Sequence, residues 1–322
     1  MARTFAKPGD EPSGNNPMTH PLVSIGFPVY NGSELVSRAV DSILNQDFSD
    51  FELIIADNAS TDDTEQICRA YAKIDPRVKY VRNASNIGVN PNHNLVFNLS
   101  RGRYFGWAAH DIEQLPGMLS RCVREMQTGP RAPVLVYPLC ELAGDTGMPP
   151  GWKQPSIASA ETKPSRRAGA VIRNISFVTQ HYGLFDAQAL RKTRLNGSYA
   201  SSDLVLTTEM ALLGEIREIP EVLLRRTIHR SRGTAAVIND QKAWAAWSGS
   251  KRHGRSLVSV RERLAFEYVR ATWQLPLKFS DKLACLVTVP VAHYRKELWE
   301  HSGERGRQFV QLLGKIRRRL GR

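Results

Sequence analysis

Val23-Ser24-Ile25-Gly26-Phe27-Pro28-Val29-Tyr30-Asn31 and, after a helix-length segment, Leu53-Ile54-Ile55-Ala56-Asp57-Asn58-Ala59-Ser60-Thr61-Asp62-Asp63-Thr64 decide the fold. Each is an apolar, β-branched run that breaks off into polar or turn-forming residues ahead of a segment with helical spacing. Two strand-to-helix junctions of this kind specify parallel strands joined by crossover helices. Ligands of open α/β sheets bind at the carboxyl edge of the strands. The second run delivers Asp57 to that edge, on a rim with Phe27, Pro28 and Tyr30. A carboxylate beside flat, rigid apolar surface suits a nucleobase, whose N–H it can accept. The competing reading is that Asp57-Asn58 only opens the turn and caps the next helix.

The alternation continues along the chain. Leu22 to Phe27, Phe51 to Ala56, Val78 to Val81, Arg103 to Ala108 and Val134 to Tyr137 read as strands. Helices are expected over Ser33 to Leu44, from a cap at Ser60 or Thr61 through Ala72, over Asn90 to Leu99 and over Leu115 to Met126. Gly144 to Ala168 has no period and reads as a long loop. Helices near Ala170 to Val178, Asp186 to Lys192 and Asp203 to Leu213 follow, then closing strands at Ile216 to Ile219 and Val222 to Ile228. The expected fold is α/β, a mainly parallel sheet flanked by helices. Three parts are expected: a disordered arm over 1–20, rich in Pro, Gly and Asn; a sheet domain over 21–235; and a helical basic extension over 236–322.

Charge singles out the extension. Lys251 to Arg322 holds 17 Lys and Arg against 6 Asp and Glu, nearly all of the net +13. Leu257, Val260, Leu264 and Tyr268 share one helical face there, and Phe309, Leu312, Leu313, Ile316 and Leu320 share another beside Lys315 and Arg317 to Arg319. Cations beside an apolar stripe suit an anionic membrane surface, and a solvated basic cap is the plainer alternative. No helix-turn-helix, RRM or zinc-finger pattern accompanies the charge, which speaks against nucleic acid. The longest apolar stretch, Leu283 to Ala292, is too short to span a bilayer and contains Pro290. Cys68, Cys122, Cys140 and Cys285 are scattered without a CxxC pair, as in reduced core positions of a cytoplasmic protein.

Two further acids stand at expected junctions. Asp111 follows the strand ending in Trp107-Ala108-Ala109-His110, facing the same crevice as Asp57. A carboxylate there can hold Mg²⁺ or Mn²⁺ on a diphosphate, or else cap the following helix. Asp203 opens a helix, where an N-cap role competes with a reactive one.

Together these segments resemble the inverting, nucleotide-sugar-dependent glycosyltransferases of family 2, which have the GT-A fold. The resemblance runs from Pro21 to Arg232. It rests on Ser24 to Asn31, Ser42-Ile43-Leu44-Asn45-Gln46, Asp57 to Asp62, Asn86-Ile87-Gly88 and the Trp107 to Asp111 strand end. It implies transfer of a sugar from a UDP- or dTDP-sugar to an acceptor hydroxyl, in cell-envelope or polysaccharide synthesis. By the same resemblance Pro28, Tyr30 and Asn86 bind the nucleotide and Asp57 recognises a pyrimidine. Asp111 then holds Mn²⁺ or Mg²⁺, His229 lies against the diphosphate or metal, and Asp203 is the general base. Ala109 stands where the family's acidic motif has its first acid, and Ile112 follows Asp111 where many relatives carry another; Glu113 is the candidate to compensate. The expected partners are the donor, a glycan or lipid-linked acceptor and an anionic membrane, with the protein cytoplasmic and peripheral on the inner face of the plasma membrane. The rivals are a degenerate domain that binds nucleotide or glycan without turnover and a sugar nucleotidyltransferase. Against the latter, the first loop has no Lys or Arg until Arg38.

Overall fold

The computed structural model describes residues 20–144, 154–175, 179–228 and 260–301. Residues 1–19 of the expected 1–20 arm, Trp152, His229, Leu257 and the Phe309 to Leu320 stripe lie outside these residues.

β1 (Val23–Val29) and β2 (Phe51–Asp57) are buried along their whole length and pair in parallel, from Val23 opposite Phe51 to Val29 opposite Asp57. β3 (Val78–Arg82) joins β2, and β4 (Tyr104–Trp107) joins β1, both in parallel. The crossovers are α1 (Val36–Leu44), α2 (Thr64–Ile74) and α3 (Val89–Asn98). Alternation across the pleat explains why both faces are apolar. Ile25, Phe27, Leu53 and Ile55 pack with Val40 and Ile43 of α1, while Ile54, Ala56, Phe105 and Trp107 pack with Val96 and Phe97 of α3. A Cβ on Gly26 would lie 2.6 Å from the Cγ2 of Val96, so only glycine lets α3 settle this close to β1.

The second half turns the sheet. β5 (Ile112–Gln114), α4 (Met118–Gln127) and β6 (Leu135–Gly144) come first. Next are α5 (Pro164–Asn174), a 3₁₀ turn at Thr179–Tyr182, β7 (Leu184–Asp186) and α6 (Ala187–Arg191). α7 (Ser202–Leu213) and β8 (Ile216–Ile228) complete it. The strand order is β3-β2-β1-β4-β7-β6-β8-β5. Four of the seven pairings are parallel; β7 runs against both β4 and β6, and β5 against β8.

Several local expectations change. The two closing strands are one, β8, whose register on β6 slips around Leu139; Pro220 at that irregularity accounts for the apparent break. β5 and β7 are too short to carry a periodic signal. α5 begins inside the expected loop because Pro164 occupies its first turn. α2 is not capped by Ser60 or Thr61. It starts at Thr64, whose N–H donates to Asp62 Oδ1 at 3.1 Å.

α8 (Val260–Gln274) and α9 (Phe279–His301) lie against the outer sides of α5 and α7. Leu264, Tyr268, Ala271, Cys285, Val289 and Ala292 form one buried cluster with Ala168, Ile172, Val205 and Leu212. The described part of the basic extension is thus packed into the body of the protein. Among the described residues no helix is long and apolar enough to cross a membrane.

Candidate active site

The loops after β1 and β2 are tied to each other before any ligand arrives. Asn31 N–H donates to Ser60 Oγ (3.0 Å), and Thr61 N–H returns the bond to Asn31 Oδ1 (2.8 Å). Gly32 N–H donates to Thr64 Oγ1 (2.9 Å) and Ser33 N–H to Asp62 Oδ2 (3.1 Å). Burial would raise the pKa of Asp62, but the donors of Thr64 and Ser33 outweigh it and hold it down to about 2. Asn31 and Ala59 are left-handed (φ 49° and 63°), so both loops turn sharply at the strand ends.

Asp57 ends β2 with its side chain wholly buried. Oδ1 accepts the Ser60 N–H at 2.8 Å; Oδ2 accepts the Tyr80 hydroxyl at 2.8 Å and pairs with Arg82. Burial pushes its pKa up, and these donors more than reverse that, leaving it below the ordinary value. Beside it runs a chain of asparagines. Asn92 donates to the Ala56 carbonyl (2.8 Å), Asn83 to Asn92 (2.9 Å) and to Asn58 (3.0 Å), and Asn58 to Asn86 (2.9 Å). Pro28 is buried in β1, whereas Tyr30 and Asn86 are exposed at the rim.

At the end of β4 the chain crosses into β5, which pairs with β8 and sets Ile112 opposite Arg226. Thr227 N–H donates to the Asp111 carbonyl at 2.8 Å, and Arg226 Nε donates to Asp111 Oδ2 at 3.0 Å. The guanidinium of Arg226 lies 5.8 Å from the Tyr182 ring centroid. Its charge acts on Asp111, Tyr182 and Asp203, which places all four in one electrostatic cluster. Asp203 is half-buried in the first turn of α7. The cap position is Ser201, which is left-handed (φ 59°), so Asp203 is not the N-cap. Burial raises its pKa against the opposing pull of the Leu204 N–H and Arg226. Behind the cluster, His181 stacks on Trp107 (4.2 Å, 13°), and Trp107 Nε1 donates to the His93 carbonyl at 3.0 Å. Burial pushes His93 down to about 4 and His181 well below its ordinary value, so both are neutral at pH 7.

The structure brings Asp57, Asn86, Pro28 and Tyr30 to one strand edge, and joins Asp111 to Arg226, whose charge reaches Asp203. His229 falls outside the described residues. Glu113 does not stand in for the missing acid, because it pairs with Arg38 of α1 at 3.1 Å. Trp107 is a core residue, fully buried. Among the described residues the ligands for a divalent cation are incomplete, and His229, expected against it, is not one of them. Ala109 offers no ligand, Asp111 is already neutralised by Arg226, and among the described residues no three His, Cys, Asp or Glu side chains gather as a cage. Sequence reasoning missed Arg226, which looked like one of several surface arginines. Only the pairing of a three-residue strand with β8 shows it facing Asp111. The asparagine chain was equally hidden, although Asn58, Asn83, Asn86 and Asn92 are dense in that stretch.

A sheet whose parallel half opens on two interlocked strand-end loops, with acids arriving from β4 and α7, has the architecture of the GT-A glycosyltransferases. The chain belongs to Glycosyl transferase family 2, whose sequence pattern matches residues 24–194. It is 28% identical over 226 residues to chondroitin synthase of Escherichia coli, a match covering 69% of this chain and 31% of that protein. It is 34% identical over 110 residues to the GalNAc(5)-diNAcBac-PP-undecaprenol beta-1,3-glucosyltransferase of Campylobacter jejuni, covering 34% of this chain and 36% of the relative. The matches thus span about a third of the length of these two relatives. A glycosyltransferase of Rickettsia prowazekii is 27% identical over 239 residues, 71% of each chain. The crystal structure of S. aureus TarS 1-349 in complex with UDP-GlcNAc has the same fold, with a TM-score of 0.61 at 15% identity over 88% of this chain and 77% of that one.

Proposed function

We propose that this glycosyltransferase moves one sugar, with inversion, from a nucleoside diphosphate sugar to a hydroxyl of a glycan or lipid-linked acceptor. The observation that carries this reading is the cluster of Asp203, Asp111 and Arg226 on the sheet edge that also bears the two interlocked loops. Asp203, made more basic by burial, takes the proton of the acceptor hydroxyl. The freed oxygen bonds to the anomeric carbon as the bond from that carbon to the diphosphate oxygen breaks, and the nucleoside diphosphate leaves with the electron pair.

Pro28 and Tyr30 flank the base, and Asn86 contributes polar contacts at the rim. Asp57 is the base-recognising acid; since its carboxylate already holds three donors, a base N–H reaches it by exchanging with Tyr80 or Arg82. Support for a nucleotide-sugar donor comes from the TarS complex with UDP-GlcNAc, and for a lipid-linked acceptor from the undecaprenol in the name of the Campylobacter relative.

The protein is further proposed to lie on an anionic membrane surface, on the cytoplasmic side. Phe279, Leu283, Val287 and Val291 recur every fourth residue along α9 and are all exposed, on the side away from the buried Cys285, Val289 and Ala292. Lys282 and Arg295 lie on the same helix and Lys278 immediately precedes it, Lys282 also covering Trp273 of α8.

A thermal-shift screen of UDP-, dTDP-, GDP- and CDP-sugars, followed by transfer assays on the stabilising donor, tests the reading. One observation favours a binding domain without turnover: the acid missing at Ala109. Donor turnover separates the two.

A further inference from the structure

Asp111 is the one acid at the end of β4, and the structure commits it to a guanidinium. Arg226 Nε lies 3.0 Å from Asp111 Oδ2, and the Thr227 N–H on the Asp111 carbonyl locks the two backbones in register. Neither side chain is remote from solvent, with 19% of Arg226 and 21% of Asp111 exposed. Tyr182 limits the guanidinium on its ring side, and Asp203 feels the same charge. Of the other candidate ligands among the described residues, Ala109 has no donor atom and Glu113 is held by Arg38.

We propose that the Arg226 guanidinium, oriented by Asp111, takes the place of a divalent cation at the diphosphate, so that donor binding and transfer proceed without metal. This rests on the nucleotide-sugar reading above. When the bond between the anomeric carbon and the diphosphate oxygen breaks, that oxygen keeps the bonding pair and gains a negative charge. A fixed cation aimed at developing charge is the largest single contribution available to such a site. A guanidinium presents planar donors matched to phosphate oxygens and stays protonated throughout, so no proton moves to or from it. The acceptor proton goes to Asp203. In this scheme Arg226 is catalytic and Asp111 is a positioning residue. The exchange also accounts for the broken acidic motif: a site that uses an arginine has no use for a second carboxylate at Ala109.

Calorimetric titration of the full chain with UDP, dTDP, GDP and CDP, each in EDTA and in Mn²⁺, provides the test. At least one nucleotide is expected to bind in EDTA, with no gain in affinity on adding Mn²⁺. Arg226→Gln is expected to weaken that binding in EDTA and to lower donor turnover by about 10²–10³-fold. Because the variant frees Asp111, Mn²⁺ is then expected to restore part of the binding, a rescue that a merely structural role would not give. Arg226→Lys keeps the charge and is expected to retain metal-free binding. Wild-type binding that appears only with Mn²⁺ would overturn the proposal and leave the nucleotide-sugar reading intact. That result needs no variant to fold. Unaltered binding and turnover in a folded Arg226→Gln would overturn it as well. Failure of every nucleotide to bind in both conditions would remove the underlying reading itself.

Discussion

Arg194 donates to Glu267 across the boundary between the sheet domain and the C-terminal helices: its Nη1 lies 2.5 Å from Glu267 Oε2, and its Nε lies 2.6 Å from Glu209 Oε1 on α7. Both glutamates are buried, with side chains 1% exposed. The loop ahead of Asp203 is therefore clamped to α7 and α8 by one guanidinium. Removing one member of a buried ion cluster leaves its partners charged and unpaired, a loss of about 3–5 kcal/mol. Arg194→Ala, which strands the buried Glu209, is expected to destabilise on that scale in urea unfolding. A chain ending before α8 would expose the apolar faces of α5 and α7 and is expected to be insoluble or unfolded. Recovery of a folded, cooperative chain without α8 and α9 would contradict this account of the packing.

Asp203→Asn is expected to move activity and stability in opposite directions. The pKa of Asp203 is raised on folding, so its favourable contribution is complete below the ordinary value of 3.8 and is lost as pH rises through the raised value. At pH 7 the buried charge opposes folding, and Asn removes it. The melting temperature should rise while turnover falls by about 10²–10⁴-fold. In the wild type, the acidic limb of the kcat profile should lie above the ordinary value of 3.8. A limb at or below 3.8, or a variant as active as the wild type, would remove Asp203 from the role of base.

The neutral histidines behind the site set a second pH dependence. His93 falls from 6.5 to about 4 on burial, and His181 shifts the same way. For such groups the unfolded chain binds more protons, so their stabilising contribution is present above 6.5 and is lost as pH falls toward 4. The raised acids Asp203 and Glu209 act in the opposite sense, which makes the comparison with a variant decisive. His181→Phe preserves the stack on Trp107 and removes one titration. Melting temperatures measured from pH 7 to 4.5 should fall less steeply for the variant than for the wild type.

The α9 stripe predicts lipid binding. Phe279 and Val287 are 67% and 68% exposed, and inserting each fully is worth about 1.5–3 kcal/mol. Replacing both with Ser should reduce sedimentation with phosphatidylglycerol vesicles at least about tenfold while leaving donor hydrolysis in solution unchanged. Binding should weaken with salt and on zwitterionic vesicles. If the double variant still binds as the wild type does, the stripe is not the lipid-facing surface. If sedimentation velocity shows that the wild type dimerises and the variant does not, a second copy covers it instead.

Much of this was readable from β1 and β2, because parallel strands buried on both faces have to be apolar runs and their junctions fix the crevice. The asparagines and Asp57 were visible as residues, but their mutual bonds were not. Asp57 looked like an open acceptor, yet Tyr80 and Arg82 reach it from β3, across a strand pairing that the local pattern does not show. The site's second half was less legible still. Arg226 meets Asp111 only through β5, and three residues carry no periodicity. The C-terminal helices read as a separate appendage because their charge is so unlike that of the body. Their inward faces, Leu264 and Tyr268 among them, are nonetheless part of a buried cluster with α5 and α7.

The most direct measurement is time-resolved ¹H NMR of an α-linked donor sugar identified in the thermal-shift screen, incubated with the wild type and with Asp203→Asn, with water or an acceptor taking the sugar. The account predicts that the first product formed by the wild type is the β-anomer, and that the variant forms it more slowly by about two orders of magnitude or more. A first product of retained α configuration, or equal rates for the two proteins, would contradict it.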